Sequence, residues 1–136
     1  MKPKVAFICV HNSCRSQIAE ALGKLYATDV FDSYSAGTEI KSAIDKTAVK
    51  LIKEIYHIDM TKTQTNKLID VLPPIDIVIT MGCNVECPYL PSKYRFDWGL
   101  EDPVGKSEAE YLKIIRLIDQ KVQELKAMII KKELII

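Results

Sequence analysis

The chain has 136 residues, 48% of them hydrophobic and 27% charged, with a formal net charge of +1. These totals suit a single globular domain, residues 1–136, able to bury a core without disulfides or metals. The near-neutral balance argues against a broad nucleic-acid surface, and no apolar run is long enough to span a bilayer. No secretory signal is visible, so the expected compartment is the cytoplasm. Structural disulfides are rare there, and the four cysteines therefore point to catalysis, redox chemistry or metal.

Lys4 to Val10 is an apolar, β-branched run and reads as a strand buried on both faces. A helix from Cys14 to Tyr26 follows, with Ile18, Ala21, Leu22 and Leu25 at helical spacing. Val30 to Ser35 reads as a short strand, and Ala36-Gly37-Thr38 as a turn. Ile44, Ala48, Leu51, Ile52 and Ile55 mark a second helix that starts near Ser42 or Ala43. His57 to Met60 reads as a brief extended piece, and Thr65 to Leu72 as a short helix stopped by Pro73-Pro74. Ile75 to Thr80 is another buried strand, Met81 to Pro91 a loop, Lys93 to Trp98 the last strand, and Gly99 to Lys106 a loop. From Ser107 onward Tyr111, Ile114, Ile115, Ile118, Val122, Leu125 and Ile129 form one amphipathic stripe. The alternation implies an α/β fold of three layers: a central four-stranded parallel sheet with helices on both faces and right-handed crossovers. The apolar tail Leu134-Ile135-Ile136 needs cover, from the domain itself or from a partner chain.

Cys9 falls at the C-terminal end of the first strand, where open α/β sheets bind ligands. The loop Val10, His11, Asn12, Ser13, Cys14 leads into a helix that starts with Arg15 and Ser16. Backbone N–H groups of such a loop and helix start favour an anion. Arg15 adds a planar fork of donors that matches two oxygens of a tetrahedral oxyanion. The same positive field favours thiolate over thiol at Cys9, and Ser16 is placed to donate a hydrogen bond to it. The chemistry is that of a sulfur nucleophile facing a bound oxyanion. The plainer reading of Cys9 is a buried strand cysteine. The pairs Cys9/Cys14 and Cys83/Cys87 also have spacings compatible with a zinc site. Against zinc, Cys9 ends a strand rather than a knuckle, and Arg15 would have no purpose beside a metal. Cys14 either fills space at the helix start or pairs with Cys9 under oxidation. His57 reads as structural or exposed. Trp98 and Tyr89 read either as core or as the pocket entrance.

The pattern Cys9-x5-Arg15-Ser16, set between an apolar strand and a helix, resembles the phosphate loop of the low-molecular-weight tyrosine phosphatase superfamily. Asn12-Ser13-Cys14-Arg15-Ser16-Gln17 with Ala19-Glu20, Tyr34-Ser35-Ala36-Gly37, and the run Asp97 to Lys106 resemble the thioredoxin-coupled arsenate reductases within it. The likeness extends from Val5 to about Val122. It implies arsenate, or a phosphate-like oxyanion, as substrate and Cys9 as nucleophile. Asp102, in a late Asp-Pro loop, is then the general acid; Glu101 is a nearby alternative without the following proline. Cys83 and Cys87 resolve oxidised Cys9 in turn, and thioredoxin or another thiol donor completes the cycle without a cofactor. The chain departs from the usual pattern in placing only three residues between Cys83 and Cys87. Some members bind a monovalent cation, and Asn12, Glu20 and Ser35 match that site, but its aspartate aligns with Lys67. No metal and a monomeric state are expected. The alternatives are a phosphatase of phosphotyrosine or small phosphate esters, using Cys9, Arg15 and Asp102, and a zinc-binding or redox-sensing protein.

Overall fold

The computed structural model describes residues 2–39, 43–82 and 90–134. Four parallel strands, β1 (Lys4–Cys9), β2 (Asp32–Gly37), β3 (Ile77–Thr80) and β4 (Tyr94–Asp97), form one sheet in the order β2-β1-β3-β4. Helices α1 (Arg15–Ala27), α2 (Lys46–Tyr56), α3 (Met60–Thr63) and α4 (Glu108–Ile130) accompany it, with a 3₁₀ turn at Ile69–Val71.

Alternation along the strands divides the core. Val5, Phe7 and Cys9 of β1, with Ile77 and Ile79 of β3, face the larger cluster, built with α1, α2 and α4. Ala6, Ile8 and Val78 face the other side, closed by Ile75 and by Ile69 and Leu72 around the 3₁₀ turn. Helical segments thus cover both faces, unequally. Along α4 the buried residues Tyr111, Ile114, Ile115, Ile118, Val122 and Leu125 recur at helical spacing. Leu134 packs back on this larger core. No helix is long and apolar enough to cross a membrane among the described residues.

From β1 the chain runs to β2 on one side, and the next strand, β3, lies on the other. The crevice at the C-terminal ends of β1 and β3 is therefore the topological switch point. Cys9 ends β1 at this crevice, and the Met81 N–H just after β3 donates to the Ile8 carbonyl at 2.9 Å.

Several local expectations change. Ala36 and Gly37 continue β2 instead of turning, because they pair with Ile8 and Cys9. Helix α2 begins at Lys46, later than expected, where the Asp45 carboxylate accepts the Ala48 N–H at 3.0 Å. Met60 opens α3, capped by Asp59, rather than ending an extended piece. Of the expected helix Thr65 to Leu72, only Ile69–Val71 is helical. The preceding backbone is taken up elsewhere: the Lys67 carbonyl accepts the Gly37 N–H at 2.8 Å, and the Lys67 N–H donates to Asn12 Oδ1 at 3.0 Å. Tertiary hydrogen bonds here outweigh helical propensity. His57 is exposed and ends α2 in the left-handed region at φ 60°, a structural role.

Gly37 lies where β2 passes under the Cys9 loop. A Cβ there would lie 2.6 Å from the Val10 carbonyl oxygen and 2.9 Å from the Asn12 nitrogen. Gly37→Ala is expected to destabilise the fold by ~1–3 kcal/mol and to weaken inorganic phosphate binding. Denaturant unfolding and phosphate inhibition check this; a variant unchanged in both would refute the close approach.

Candidate active site

The sequence from Cys9 to Ser16 folds into a loop whose interior is filled by its own polar side chains. Asn12 is fully buried and adopts φ 51°, a left-handed conformation that asparagine tolerates. Its Oδ1 accepts the Lys67 N–H at 3.0 Å and Gln17 Nε2 at 3.0 Å. Those two donors fix the orientation of the amide, so Nδ2 points to Ser16 Oγ at 2.8 Å. Ser16 thus receives a hydrogen bond from Asn12 and keeps its own hydrogen for Cys9 Sγ, 2.9 Å away. Gln17 also donates to the Asn12 and Thr65 carbonyls, and Gln64 Nε2 donates to the Gln17 carbonyl and Oε1.

Above this support lies a cleft of about 180 Å³ lined by Cys9, Val10, His11, Ser13, Cys14, Arg15 and Asp102. Asn12 and Ser16 stand behind it, buried. Cys14 is the N-cap of α1, yet no side chain caps the helix and no acidic residue occupies its first turn. Its first N–H groups therefore lack the usual capping oxygen, and an anion in the cleft would supply one.

Arg15 is held by one nitrogen. Nη1 donates to the Met81 carbonyl and to the Leu100 carbonyl, both at 2.6 Å. The first lies just past β3 and the second two residues before Asp102. The rest of the guanidinium is left as a fork for two oxygens of a ligand. Asp102 is exposed, and its Oδ1 accepts the Val104 N–H at 3.1 Å across Pro103. Glu101 is exposed and pairs loosely with Lys106 at 3.7 Å. Cys83, Cys87 and Tyr89 lie outside the described residues.

Burial pushes the Cys14 thiol up from its ordinary range; Asp45, Asp102 and Cys9 add to this, and Arg15 opposes it. The space-filling reading of Cys14 fits its burial at the helix start. Trp98 packs on Phe7 with ring centroids 5.5 Å apart, which makes it core rather than entrance. Glu20 is buried beneath β2, where its Oε1 accepts Ser35 Oγ at 2.6 Å and Lys67 Nζ at 3.3 Å. Lys24 takes Oε2 at 2.5 Å. Among the described residues no cluster of three metal-ligating side chains occurs.

Sequence reasoning missed Gln64, Asp45, and the Met81 and Leu100 carbonyls. The Asp45 N–H donates to the Ser13 carbonyl at 2.8 Å, so the cap of α2 also holds the loop. Backbone carbonyls have no residue signature, and Gln64 sits in a stretch whose pattern suggested nothing.

The sequence pattern of the low molecular weight phosphotyrosine protein phosphatase family matches residues 4–134. The chain belongs to that family. An arsenate reductase of Bacillus cereus is 37% identical over 127 residues, which are 90% of this chain and 92% of that protein. A solved arsenate reductase in the phosphate binding state is 36% identical, with a TM-score of 0.80 over 95% of this chain and 99% of its own. The thioredoxin-dependent arsenate reductase of Corynebacterium glutamicum is also 36% identical, with a TM-score of 0.75 over 94% of this chain and 62% of that one. Within this phosphatase family, then, the chain is similar to members named as arsenate reductases.

At neutral pH, an alkylating reagent is expected to label Cys9 and leave Cys14 unlabelled, because burial keeps Cys14 protonated. Peptide mass mapping after brief iodoacetamide treatment reads this out. Equal labelling of both cysteines would contradict the packing described for the helix start.

Proposed function

We propose that this chain is a thiol-dependent arsenate reductase, using a Cys9/Cys83/Cys87 relay regenerated by thioredoxin or another dithiol. The supporting observation is the arrangement at one sheet edge: a buried Cys9 sulfur on Ser16, an uncapped helix start, and Arg15 tied to the carbonyls of Met81 and Leu100. The similarity to a thioredoxin-dependent arsenate reductase supports the choice of reaction.

Arsenate sits in the cleft on the loop N–H groups and the free edge of Arg15. The Cys9 thiolate attacks arsenic, and Asp102 protonates the departing hydroxide. The thiolate of Cys83 then attacks Cys9 sulfur. The S–As bond breaks with its electron pair left on arsenic, so As(V) becomes As(III) and leaves as arsenite. A Cys9–Cys83 disulfide remains. Cys87 attacks Cys83 and frees the Cys9 thiolate, and an external dithiol reduces the Cys83–Cys87 disulfide. Met81, two residues before Cys83 in the sequence, donates its N–H to the carbonyl of the residue before Cys9, so the chain enters the Cys83 segment from beside the end of β1. Glu20 already carries two lysine ammonium groups, so no monovalent cation is assigned beside the loop.

The phosphatase reading draws on the family itself and on the same three groups, Cys9, Arg15 and Asp102. Only the fate of the covalent adduct differs, since water can cleave phosphocysteine.

Cys83→Ser is expected to abolish arsenite release and spare aryl phosphate hydrolysis. Cys87→Ser is expected to release one arsenite per enzyme and stall as a Cys9–Cys83 disulfide, visible by mass spectrometry. Full arsenate turnover by both variants with thioredoxin supplied would make the second cysteine pair structural and favour the phosphatase.

Asp102→Asn is expected to slow adduct formation ~10²–10⁴-fold while leaving oxyanion inhibition intact. Pre-steady-state hydrolysis of an aryl phosphate measures it, and an effect near unity would move the acid role to Glu101 or to water.

A further inference from the structure

We infer that Asp97 is a positioning residue whose single oxygen ties the start of the segment carrying Cys83 to the start of the loop carrying Asp102. This rests on the roles proposed above for those two residues. Asp97 Oδ1 accepts the Gly82 N–H at 3.0 Å and the Gly99 N–H at 3.0 Å. Gly82 immediately precedes Cys83, and Gly99 lies three residues before Asp102.

The two glycines meet this oxygen only because both leave ordinary strand geometry. Gly82 has φ 97° and Gly99 has φ 59°, conformations that glycine adopts without strain. The ladder between β3 and β4 ends at the Thr80/Asp97 pair, with one further bond from the Trp98 N–H to the Thr80 carbonyl at 2.8 Å. Beyond that point the strands no longer hold one another. The Asp97 carboxylate takes over, with two charge-assisted hydrogen bonds in place of the ladder. The backbones it gathers are in contact: a Cβ on Gly82 would lie 2.5 Å from the Leu100 carbonyl oxygen and 2.9 Å from the Leu100 nitrogen. Arg15 Nη1 closes the arrangement from the cleft side by holding the Met81 and Leu100 carbonyls together. Asp97 is exposed and does not line the cleft, so it acts through the two loops and not on the substrate.

The consequence is that the loop carrying Asp102 and the backbone point from which the Cys83 segment departs are set together at the end of β3. Losing the Asp97 oxygen releases the entry points of both loops at once. The Cys9 loop is supported separately by Asn12, Ser16 and Gln17, and it stays in place.

The test uses the whole chain with Asp97→Ala and Asp97→Asn; the asparagine retains the accepting oxygen. Asp97→Ser, too short to reach both amides, serves if the alanine variant does not fold. The readouts are the pH profile of kcat for aryl phosphate hydrolysis, inhibition by inorganic phosphate, and single-turnover arsenite release. Alanine or serine is expected to lower kcat and arsenite release by up to ~10²-fold, the loss that about 1 Å of misplacement produces. It should also flatten the limb of the profile that Asp102→Asn removes, with phosphate inhibition weakened far less than kcat because Arg15 keeps its bonds to the Met81 and Leu100 carbonyls, and asparagine should restore all of these. Unaltered rates and profile in the alanine or serine variant would overturn the inference. So would an asparagine variant as impaired as alanine, or phosphate inhibition weakening in step with kcat. Asp102→Asn and Cys83→Ser run beside them as controls. If those two are silent, the roles assigned to Asp102 and Cys83 have failed and the inference falls with them; if they lose activity while Asp97→Ala does not, only the positioning role fails.

Discussion

One guanidinium nitrogen joins the parts of this site. Arg15 Nη1 donates to carbonyls just past the end of β3 and in the loop after β4, while Arg15 itself opens the helix that follows β1. Three chain segments are thereby bound to a single charge. A half-buried cation needs compensating oxygens, and two backbone carbonyls supply them without neutralising it. Net positive charge therefore remains for a ligand, and the fork is held in one orientation before the ligand arrives. That preorganisation lowers the cost of binding a small, strongly hydrated anion.

Beneath the fork, rigidity comes from a continuous relay of hydrogen bonds. The chain from the Lys67 N–H through Asn12 and Ser16 to Cys9 leaves each group with a partner. A buried polar group left unpaired costs ~1–3 kcal/mol, so the loop cannot shift one member without disturbing the next. The same bonds explain why the backbone from Gln64 to Lys67 is not helical. That segment is used as a wall for the loop, and its amides and carbonyls are consumed by Asn12, Gln17 and Gly37.

What could be read from the sequence follows this division. The apolar run into Cys9 and the helix after Arg15 were legible because burial and period dominate there. The stripe on α4 was legible for the same reason. The end of β2 was not: Asp32 to Ser35 is largely polar, and pairing with β1, a long-range fact, carries the strand on to Gly37. The false helix at Thr65 to Leu72 failed where tertiary hydrogen bonds overrode propensity. Arg15 was identified as an oxyanion fork, but its anchoring to Met81 and Leu100 was invisible, since any residue type offers a carbonyl.

The cleft has no means of telling arsenate from phosphate by shape, because both are tetrahedral oxyanions of similar charge. In the proposed reaction, discrimination comes after binding. Sulfur attached to arsenic can be attacked by a second thiolate with the electron pair passing to As(V), which has an accessible lower oxidation state. Sulfur attached to phosphorus offers no such exit, and its adduct waits for water. Reduction therefore depends less on how tightly Cys9, Arg15 and the helix start hold the anion than on whether a second sulfur is delivered to Cys9. That places the functional weight on the end of β3, where the chain is fixed by Arg15 at Met81 and by Asp97 at Gly82 immediately before Cys83.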